Sequence, residues 1–220
     1  MKAMLAPMAL MPVTGGLAVL VYCARRHYLA SKMVMDFVLG LVALIAALPV
    51  MAVCATIIKL SSRGPVLFSQ VRAGKDGGLF RMWKFRTMYT DAEQDSGPVW
   101  ADENDPRVIP ACRWMRISHM DELPQLFHVV AGTMSLVGPR PERPEILAEL
   151  EAHYPNVRDR LAVRPGITGL AQIRNGYDRS VESFRHKLET DLEYIENLGW
   201  AQDMKILTLT AAMIYDRKAR

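Results

Sequence analysis

Residues Phe37 to Ile58 read FVLGLVALIAALPVMAVCATII, a run of 22 residues without a charged side chain. As a helix, this segment would be about 33 Å long, which matches the hydrocarbon core of a bilayer. A core helix that is this long and apolar on all sides is unusual in a chain of 220 residues. The segment therefore predicts embedding in a membrane.

Pro49 lies past the middle of this segment, where it predicts a kink because it lacks an N–H and clashes with the preceding turn. Positive charges flank the segment on both sides, with Arg25, Arg26 and Lys32 before it and Lys59 and Arg63 after it. This symmetry conflicts with a simple crossing under the positive-inside rule. A re-entrant helix that enters and leaves by the same face satisfies both flanks and is the preferred interpretation. A straight span followed by a cytoplasmic domain is the alternative.

A second apolar stretch, residues 3–24, is interrupted by Pro7, Pro12 and the Gly15-Gly16 pair. It has no A-x-A cleavage site, which favours an uncleaved membrane-associated helix over a cleaved signal sequence. The predicted organisation is an apolar N-terminal extension (1–31), a re-entrant membrane helix (32–60) and a cytoplasmic-face domain (61–220).

Composition limits the classes of protein to which the chain can belong. Half of the residues are hydrophobic, which excludes a disordered protein, and the formal net charge is +4. This charge fits an anionic membrane surface or phosphorylated ligands, and no recognition-helix, zinc-finger or RNA-binding signature accompanies it. Nucleic acid is therefore not a predicted partner. Cys23, Cys54 and Cys112 form no CxxC pair and are predicted to be packing residues in a reducing compartment.

The rest of the chain predicts an α+β fold that is predominantly helical, with amphipathic helices at the membrane surface. Hydrophobic periodicity and turn residues define the elements. The predicted elements are a β-hairpin (66–73 and 79–88) around a glycine-bearing turn, a polar loop (91–107), a short helix (124–130) ended by Gly132, an amphipathic helix with apolar residues at 181, 184, 188, 192 and 195, and a final helix (204–215).

The acid pair Asp121-Glu122 stands in the stretch MRISHMDELPQLFHVVAGTMSLVGPRPERPE, residues 115–145, which also places Arg140 between two prolines. Carboxylates act as nucleophiles or metal ligands, and arginine binds phosphate bidentately. Both acids lie at the start of the short helix, whose positive end is expected to favour their ionised forms. Lys84 and Arg86 share one face of the second hairpin strand, where a solvated face is the alternative to a binding role.

Several blocks occur in an order that resembles the bacterial sugar transferases called monotopic phosphoglycosyl transferases, or polyprenyl-phosphate sugar-phosphate transferases. The blocks are Gly64-Pro65, Lys84-Phe85-Arg86-Thr87-Met88, Asp121-Glu122-Leu123-Pro124-Gln125, Ser135-Leu136-Val137-Gly138-Pro139-Arg140-Pro141 and Arg164-Pro165-Gly166-Ile167-Thr168-Gly169. The extension Pro141-Glu142-Arg143-Pro144-Glu145 resembles the branch that initiates exopolysaccharides. Residues 1 to 31 fall outside the resemblance.

The resemblance implies a catalytic domain on the cytoplasmic face of the bacterial inner membrane. It implies transfer of a sugar-1-phosphate from a nucleotide sugar, such as a UDP-hexose, to polyprenyl phosphate, with release of a nucleoside monophosphate. By similarity, Asp121 is the nucleophile and Glu122 binds Mg²⁺. The expected substrate-binding and phosphate-binding residues are Lys84, Arg86, Arg116, Arg140, Arg174 and Arg179. Membrane lipid is a further expected partner, and a homodimer is left open.

Two other functions remain open from the residues alone. The same acids, metal and arginines could pass phosphate to water, as in a membrane-bound phosphatase or diphosphate hydrolase. A non-catalytic membrane scaffold would not need the acid pair, yet both acids are present. His119 could tune the acid pair or face solvent, and the sugar-recognising residues near 173–178 are not identified.

Overall fold

In the part of the chain that the computed structural model describes, residues 15–90, 105–175 and 181–215, helices surround two small sheets. This confirms the predicted α+β, predominantly helical fold. The helices are α1 (Gly15–Ser61), α2 (Arg113–Ile117), α3 (Gln125–Val130), α4 (Pro144–His153), α5 (Leu170–Asn175), α6 (Val181–Glu196) and α7 (Trp200–Tyr215). The strands are β1 (Leu67–Ala73), β2 (Leu79–Phe85), β3 (Ser135–Val137) and β4 (Gly166–Thr168).

Helix α1 contains the apolar segment that the sequence predicted, but it is longer and includes Pro49. It runs without a break across the predicted boundary between residues 31 and 32, while residues 1–14 of the extension lie outside the described residues. By length and composition, Arg25–Ser61 is able to cross a membrane. Large apolar side chains on it are open, with Val42 61% and Ile45 60% exposed. Such a surface is expected of a helix in contact with lipid.

One side of α1 is part of the protein core. Leu44, Met51, Cys54 and Ile58 are buried in a cluster that also contains Phe85, Ile109, Cys112, Met115 and Leu126. A Cβ added at Gly40 would lie 2.7 Å from Val129 Cγ1, so only glycine permits this approach of α1 to α3. Cys54 and Cys112 are fully buried and unpaired, which confirms their prediction as packing residues.

Buried polar contacts join α1 to the rest of the protein on both sides of its apolar segment. Before the segment, Lys32 Nζ lies 2.5 Å from Asp203 Oδ2 on α7, and Asp36 Oδ2 accepts a 2.8 Å hydrogen bond from Ser135 Oγ on β3. After it, Arg86 Nη1 donates to Ser62 Oγ at 2.7 Å. Residues on both flanks of the apolar segment therefore bind the folded region formed by residues after 62.

The predicted β-hairpin is confirmed. Strands β1 and β2 pair antiparallel, from Leu67 opposite Phe85 to Ala73 opposite Leu79. The connecting turn contains Asp76 with a φ of 55° and Gly77 with a φ of 80°, a left-handed backbone that glycine and aspartate tolerate. The hairpin carries Lys84 toward the centre of the protein.

A parallel pair, β3 and β4, was not predicted as a sheet. It pairs Ser135 with Gly166 and Val137 with Thr168. The two backbones continue close together beyond it, since a Cβ at Gly166 would lie 2.1 Å from the Gly138 nitrogen. Glycine at this position lets the chain approach closely just before Arg140.

The remaining helical predictions are largely confirmed. Helix α3 follows Pro124 and is succeeded by Gly132 with a φ of 77°. Helix α6 buries its apolar positions at Phe184, Leu188 and Ile195 and exposes the His186 side chain. Helix α7 begins at Trp200, earlier than the predicted start. Most of the predicted polar loop, residues 91–104, lies outside the described residues.

Candidate active site

The acid pair lies in a tight turn between α2 and α3. This turn, Met120–Glu122, follows His119, whose φ of 56° is left-handed. Histidine is one of the residues that adopt this conformation more readily, although it still strains the backbone. Because His119 is exposed, its position agrees with the solvent-facing interpretation. The turn directs Glu122 toward the β-hairpin and the loop that follows β3.

Glu122 binds two cations that are distant in sequence. Its Oε1 lies 2.7 Å from Lys84 Nζ and 2.5 Å from Arg140 Nη2, and its Oε2 accepts a 3.2 Å bond from Arg140 Nη1. Burial acts to raise the pKa of Glu122, but Arg140 and Lys84 outweigh it and hold the pKa well below its usual range. Glu122 is therefore ionised throughout the physiological pH range.

Asp121 has a different environment from its neighbour. Burial, followed by the charge of Glu122, raises the pKa of Asp121 to about 6, although Lys84, Arg116 and Arg140 oppose this shift. The expectation that the helix N-terminus would favour the ionised forms of both acids is thus wrong for Asp121. No hydrogen bond or ion pair joins its carboxylate to another side chain among the described residues. A partly desolvated carboxylate of this kind is available as a nucleophile.

The structure brings together Asp121, Glu122, Lys84, Arg116 and Arg140, and we call these five residues the acid–cation cluster. Lys84 reaches it from β2, Arg116 from α2 and Arg140 from the loop after β3. Arg116 Nη1 also lies 3.4 Å from Thr87 Oγ1. Three cations around two acids leave the cluster with a net positive charge when both acids are ionised, which suits an incoming diphosphate.

The other expected phosphate-binding residues are placed elsewhere or are not described. Arg86 is 5% exposed, and its guanidinium donates to Pro65 O at 2.5 Å and to Ser62. Arg174 on α5 forms an exposed ion pair with Glu193 at 2.5 Å. Arg179 lies outside the described residues. Their binding roles stay predictions.

Sequence reasoning missed a second charged group, which packs behind Arg140. It consists of Arg72, Glu142, Arg160, Lys187 and Asp191, and we call it the Arg160 network. Its members come from β1, α6, the loop after β3 and the turn Val157–Ala162.

Glu142 is the acid at the centre of this network. Its Oε1 lies 2.7 Å from Lys187 Nζ, and its burial, which acts to raise its pKa, is outweighed by Lys187, Arg160 and Arg72, which lower it to about 2. One signal could have revealed the network. Asp191 lies seven residues after Phe184, which places a charge on the apolar face of α6.

A family model described as bacterial sugar transferase matches residues 27–217. The chain belongs to the bacterial sugar transferase family. This confirms the resemblance drawn from the sequence blocks, and the match includes every residue of the acid–cation cluster and of the Arg160 network.

Two relatives of the chain have names that describe the same kind of reaction. The chain is 39% identical over 187 residues to the UDP-N-acetylgalactosamine-undecaprenyl-phosphate N-acetylgalactosaminephosphotransferase of Aeromonas hydrophila, over 85% of the chain and 44% of that protein. It is 40% identical over 183 residues to the UDP-glucose:undecaprenyl-phosphate glucose-1-phosphate transferase of Klebsiella pneumoniae, over 81% of the chain and 39% of that protein. The chain thus spans less than half of these relatives.

A third relative is similar in length to this chain. The exopolysaccharide production protein PSS of Rhizobium leguminosarum bv. phaseoli is 39% identical over 185 residues, which cover 81% of the chain and 92% of that protein. The region that matches this chain therefore makes up most of the Rhizobium protein but less than half of the Aeromonas and Klebsiella proteins.

The adjacent carboxylates of the acid pair suit Mg²⁺ bound together with a phosphate-containing ligand. Mg²⁺ usually retains several waters and binds through one or two carboxylates plus substrate phosphates. Among the described residues no group of three metal-ligating side chains exists, so a cage built from protein alone is not available there. Asp121 and Glu122 supply two adjacent carboxylates: Asp121 has no side-chain partner among the described residues, whereas both oxygens of Glu122 are bonded to Lys84 or Arg140.

Proposed function

We propose that this chain transfers a sugar-1-phosphate from a UDP-sugar to undecaprenyl phosphate and releases UMP. The observation that carries the proposal is the Asp121 carboxylate, which bonds to no side chain in the described part of the chain and lies next to Glu122, which Lys84 and Arg140 hold in place. The names of the relatives from Aeromonas and Klebsiella support the donor and the acceptor. The name of the Rhizobium relative supports a role in exopolysaccharide production. We place the chain at the first membrane step of exopolysaccharide or related glycan synthesis.

The first step forms a covalent intermediate on Asp121. A carboxylate oxygen attacks the phosphorus that bears the sugar, and the bond from this phosphorus to the bridging oxygen breaks. The electron pair leaves with UMP, so no proton is required. The product is an aspartyl phosphodiester that carries the sugar.

The second step returns Asp121 to its initial state. A phosphate oxygen of undecaprenyl phosphate attacks the same phosphorus, the acyl phosphate bond breaks, and the aspartate carboxylate is released. Two bulky substrates can thus use one site in turn. A site at the membrane surface also leaves the long lipid tail of the acceptor in the bilayer.

The cations of the acid–cation cluster suit the charge that develops during both steps. Negative charge builds on phosphoryl oxygens and on the leaving phosphate, and fixed donors that need no reorganisation stabilise it strongly. Arg140 and Lys84 are fixed by Glu122. Glu122, with Asp121, would hold Mg²⁺, which supplies further positive charge to the diphosphate when bound.

The proposed location is the cytoplasmic face of the inner membrane, with the apolar part of α1 re-entrant. Lys32, Asp36 and Ser62 bind one catalytic region from both sides of the apolar segment. This supports re-entry because the two ends of a crossing helix would lie on opposite sides of a layer about 30 Å thick. Any freed backbone groups near Pro49 must find partners in the protein or at the headgroups.

A substrate panel tests the function. The full chain in detergent or nanodiscs is incubated with UDP-hexoses and UDP-N-acetylhexosamines, Mg²⁺ and undecaprenyl phosphate, and UMP release is measured. We expect UMP release to depend on the acceptor, and we expect donor labelled in the sugar phosphate to label the protein when the acceptor is omitted. Steady UMP or phosphate release without the acceptor would instead indicate a diphosphate hydrolase.

A further inference from the structure

Arg160 is a buried cation that contacts the backbone of Arg140. It is 2% exposed, and its Nη2 donates to the Arg140 carbonyl oxygen at 2.9 Å. The same guanidinium binds Asp191 Oδ2 through Nη2 at 2.6 Å and through Nε at 3.1 Å. Asp191 on α6 is 1% exposed. Loss of Arg160 would remove from buried Asp191 the cation that it contacts most closely, which is costly for a buried carboxylate.

The backbone that follows Pro139 is bonded at three successive carbonyls. The Arg140 carbonyl accepts from Arg160, and the Pro141 carbonyl accepts from Arg72 Nη1 at 2.9 Å. The Glu142 carbonyl accepts from the Ala73 nitrogen at 2.9 Å. Two of these donors are guanidinium groups, whose hydrogen bonds are stronger than those of neutral donors. This segment is therefore held firmly where the Arg140 side chain extends to Glu122.

We infer that Arg160, fixed by Asp191, is a positioning residue for the Arg140 guanidinium. Arg160 acts through the Arg140 backbone, because its guanidinium donates both to the Arg140 carbonyl oxygen and to Asp191. Its role is to keep Arg140 at the distance at which it binds Glu122 and faces the diphosphate. The expected kinetic effects rest on the proposed transferase function. The positioning of Arg140 by Arg160 does not depend on that function.

Arg160→Lys is the primary variant. It keeps the positive charge beside Asp191 but replaces a planar fork of donors with one ammonium nitrogen, which cannot reproduce the same set of bonds. A misplacement of about 1 Å can reduce a rate by about 100-fold. We expect kcat for UMP release to fall about 10- to 100-fold, because Arg140 acts on charge that develops in the transition state. KM for the UDP-sugar should change less than about threefold by the same reasoning.

Arg158→Lys is the matched control. Arg158 lies on the same turn, Val157–Ala162, and forms an exposed pair with Glu151 at 2.7 Å. Since the Arg158 side chain pairs with Glu151 and not with the Arg140 backbone, its replacement should leave kcat and KM unchanged. Equal kcat values for wild type and Arg160→Lys would overturn the inference.

A double-mutant cycle separates positioning from general destabilisation. If Arg160 works through Arg140, then Arg160→Lys should have little further effect on kcat in an Arg140→Lys background. If the fold-losses in kcat of the two single variants multiply in the double variant, Arg160 and Arg140 act independently, and the inference would be overturned. Asp191→Asn gives a second variant of nearly unchanged volume if Arg160→Lys does not fold, and it should lower kcat in the same non-multiplying way.

A measurement without substrate tests whether Arg160 positions Arg140 against Glu122. The coupling between Arg140 and Glu122 is obtained from a double-mutant cycle in unfolding, with Arg140→Met and Glu122→Gln in detergent. The cycle is then repeated with Arg160→Lys present, and we expect the coupling to fall by at least about half. An unchanged coupling would overturn the inference. A wild type that released no UMP from any donor would refute the proposed function, whereas this cycle would still decide the role of Arg160.

Discussion

Replacement of Asp121 by asparagine should stabilise the fold while it removes activity. Burial and the neighbouring Glu122 raise the pKa of Asp121 from 3.8 to about 6. Each unit corresponds to about 1.4 kcal/mol, so the ionised carboxylate destabilises the folded state by up to about 3 kcal/mol. Asparagine has nearly the same volume but no charge to desolvate. The free energy of unfolding should therefore rise by an amount approaching this value.

The direction of the pH dependence follows from the raised pKa. The folded state binds a proton more tightly than the unfolded state, so the wild type loses stability from this group as pH rises from about 4 to about 6. Above pH 6 the full destabilisation is present, and below both pKa values it is absent. The gain from Asp121→Asn should therefore be large at pH 8 and close to zero at pH 3.5.

Thermal unfolding in detergent measures the effect. For a chain of this length, about 3 kcal/mol corresponds to an increase in Tm of about 6–12 °C. Asp159→Asn is the matched control, because Asp159 is exposed on the turn Val157–Ala162 and its replacement should leave Tm unchanged at both pH values. UMP release by Asp121→Asn should fall by several orders of magnitude, as expected for loss of a nucleophile.

Two results would refute this reasoning separately. A Tm at pH 8 equal to or below that of wild type would show that the Asp121 carboxylate is not destabilised by its surroundings. Retention of more than about a tenth of wild-type activity would show that Asp121 is not the nucleophile, whatever the change in Tm.

Three further predictions concern the metal, the pH profile and the membrane segment. Glu122→Gln should lower Tm, because Lys84 and Arg140 both lose the charged carboxylate that they contact. It should also weaken Mg²⁺ dependence, and full activity in EDTA would exclude the metal. In the wild type, kcat/KM should fall as pH decreases through about 6, since Asp121 must be ionised; a flat profile from pH 5 to 8 would contradict this. Single cysteines placed at the exposed positions Ser31 and Arg63, in a cysteine-free background, should both be labelled from the cytoplasm. Pro49→Leu should shift some molecules toward a crossing form. Labelling of the two positions from opposite sides with Pro49 present would establish a conventional span.

Local patterns were sufficient for most of the elements. The hairpin follows from two β-rich runs around Gly74 to Gly78, and α3 follows from Pro124 and Gly132. The period of three and four residues placed α6 correctly, including the exposure of His186. These features depend on residues within about one or two turns of each other, so the sequence alone determines them.

The candidate site was predicted in its residues but not in its electrostatics. Asp121, Glu122, Lys84, Arg116 and Arg140 were all named from the sequence, and the fold brings them together. The sequence does not distinguish the electrostatic environments of two neighbouring acids, yet the structure shows salt bridges from Lys84 and Arg140 to Glu122 and not to Asp121 among the described residues. Their pKa values separate because burial and charge partners depend on which side chain the turn directs toward the hairpin.

The sequence by itself determined the long apolar segment, the family and the acid pair, because each is carried by short blocks of contiguous residues. Only the tertiary structure decided the Arg160 network, in which Arg160 binds Asp191 and the Arg140 carbonyl. Those partners are 31 and 20 residues away along the chain. The position of Asp191 on the apolar face of α6 signals a buried charge, but it does not identify Arg160 as the partner, because the pairing exists only once α6, the turn Val157–Ala162 and the loop between Pro139 and Glu142 have packed together.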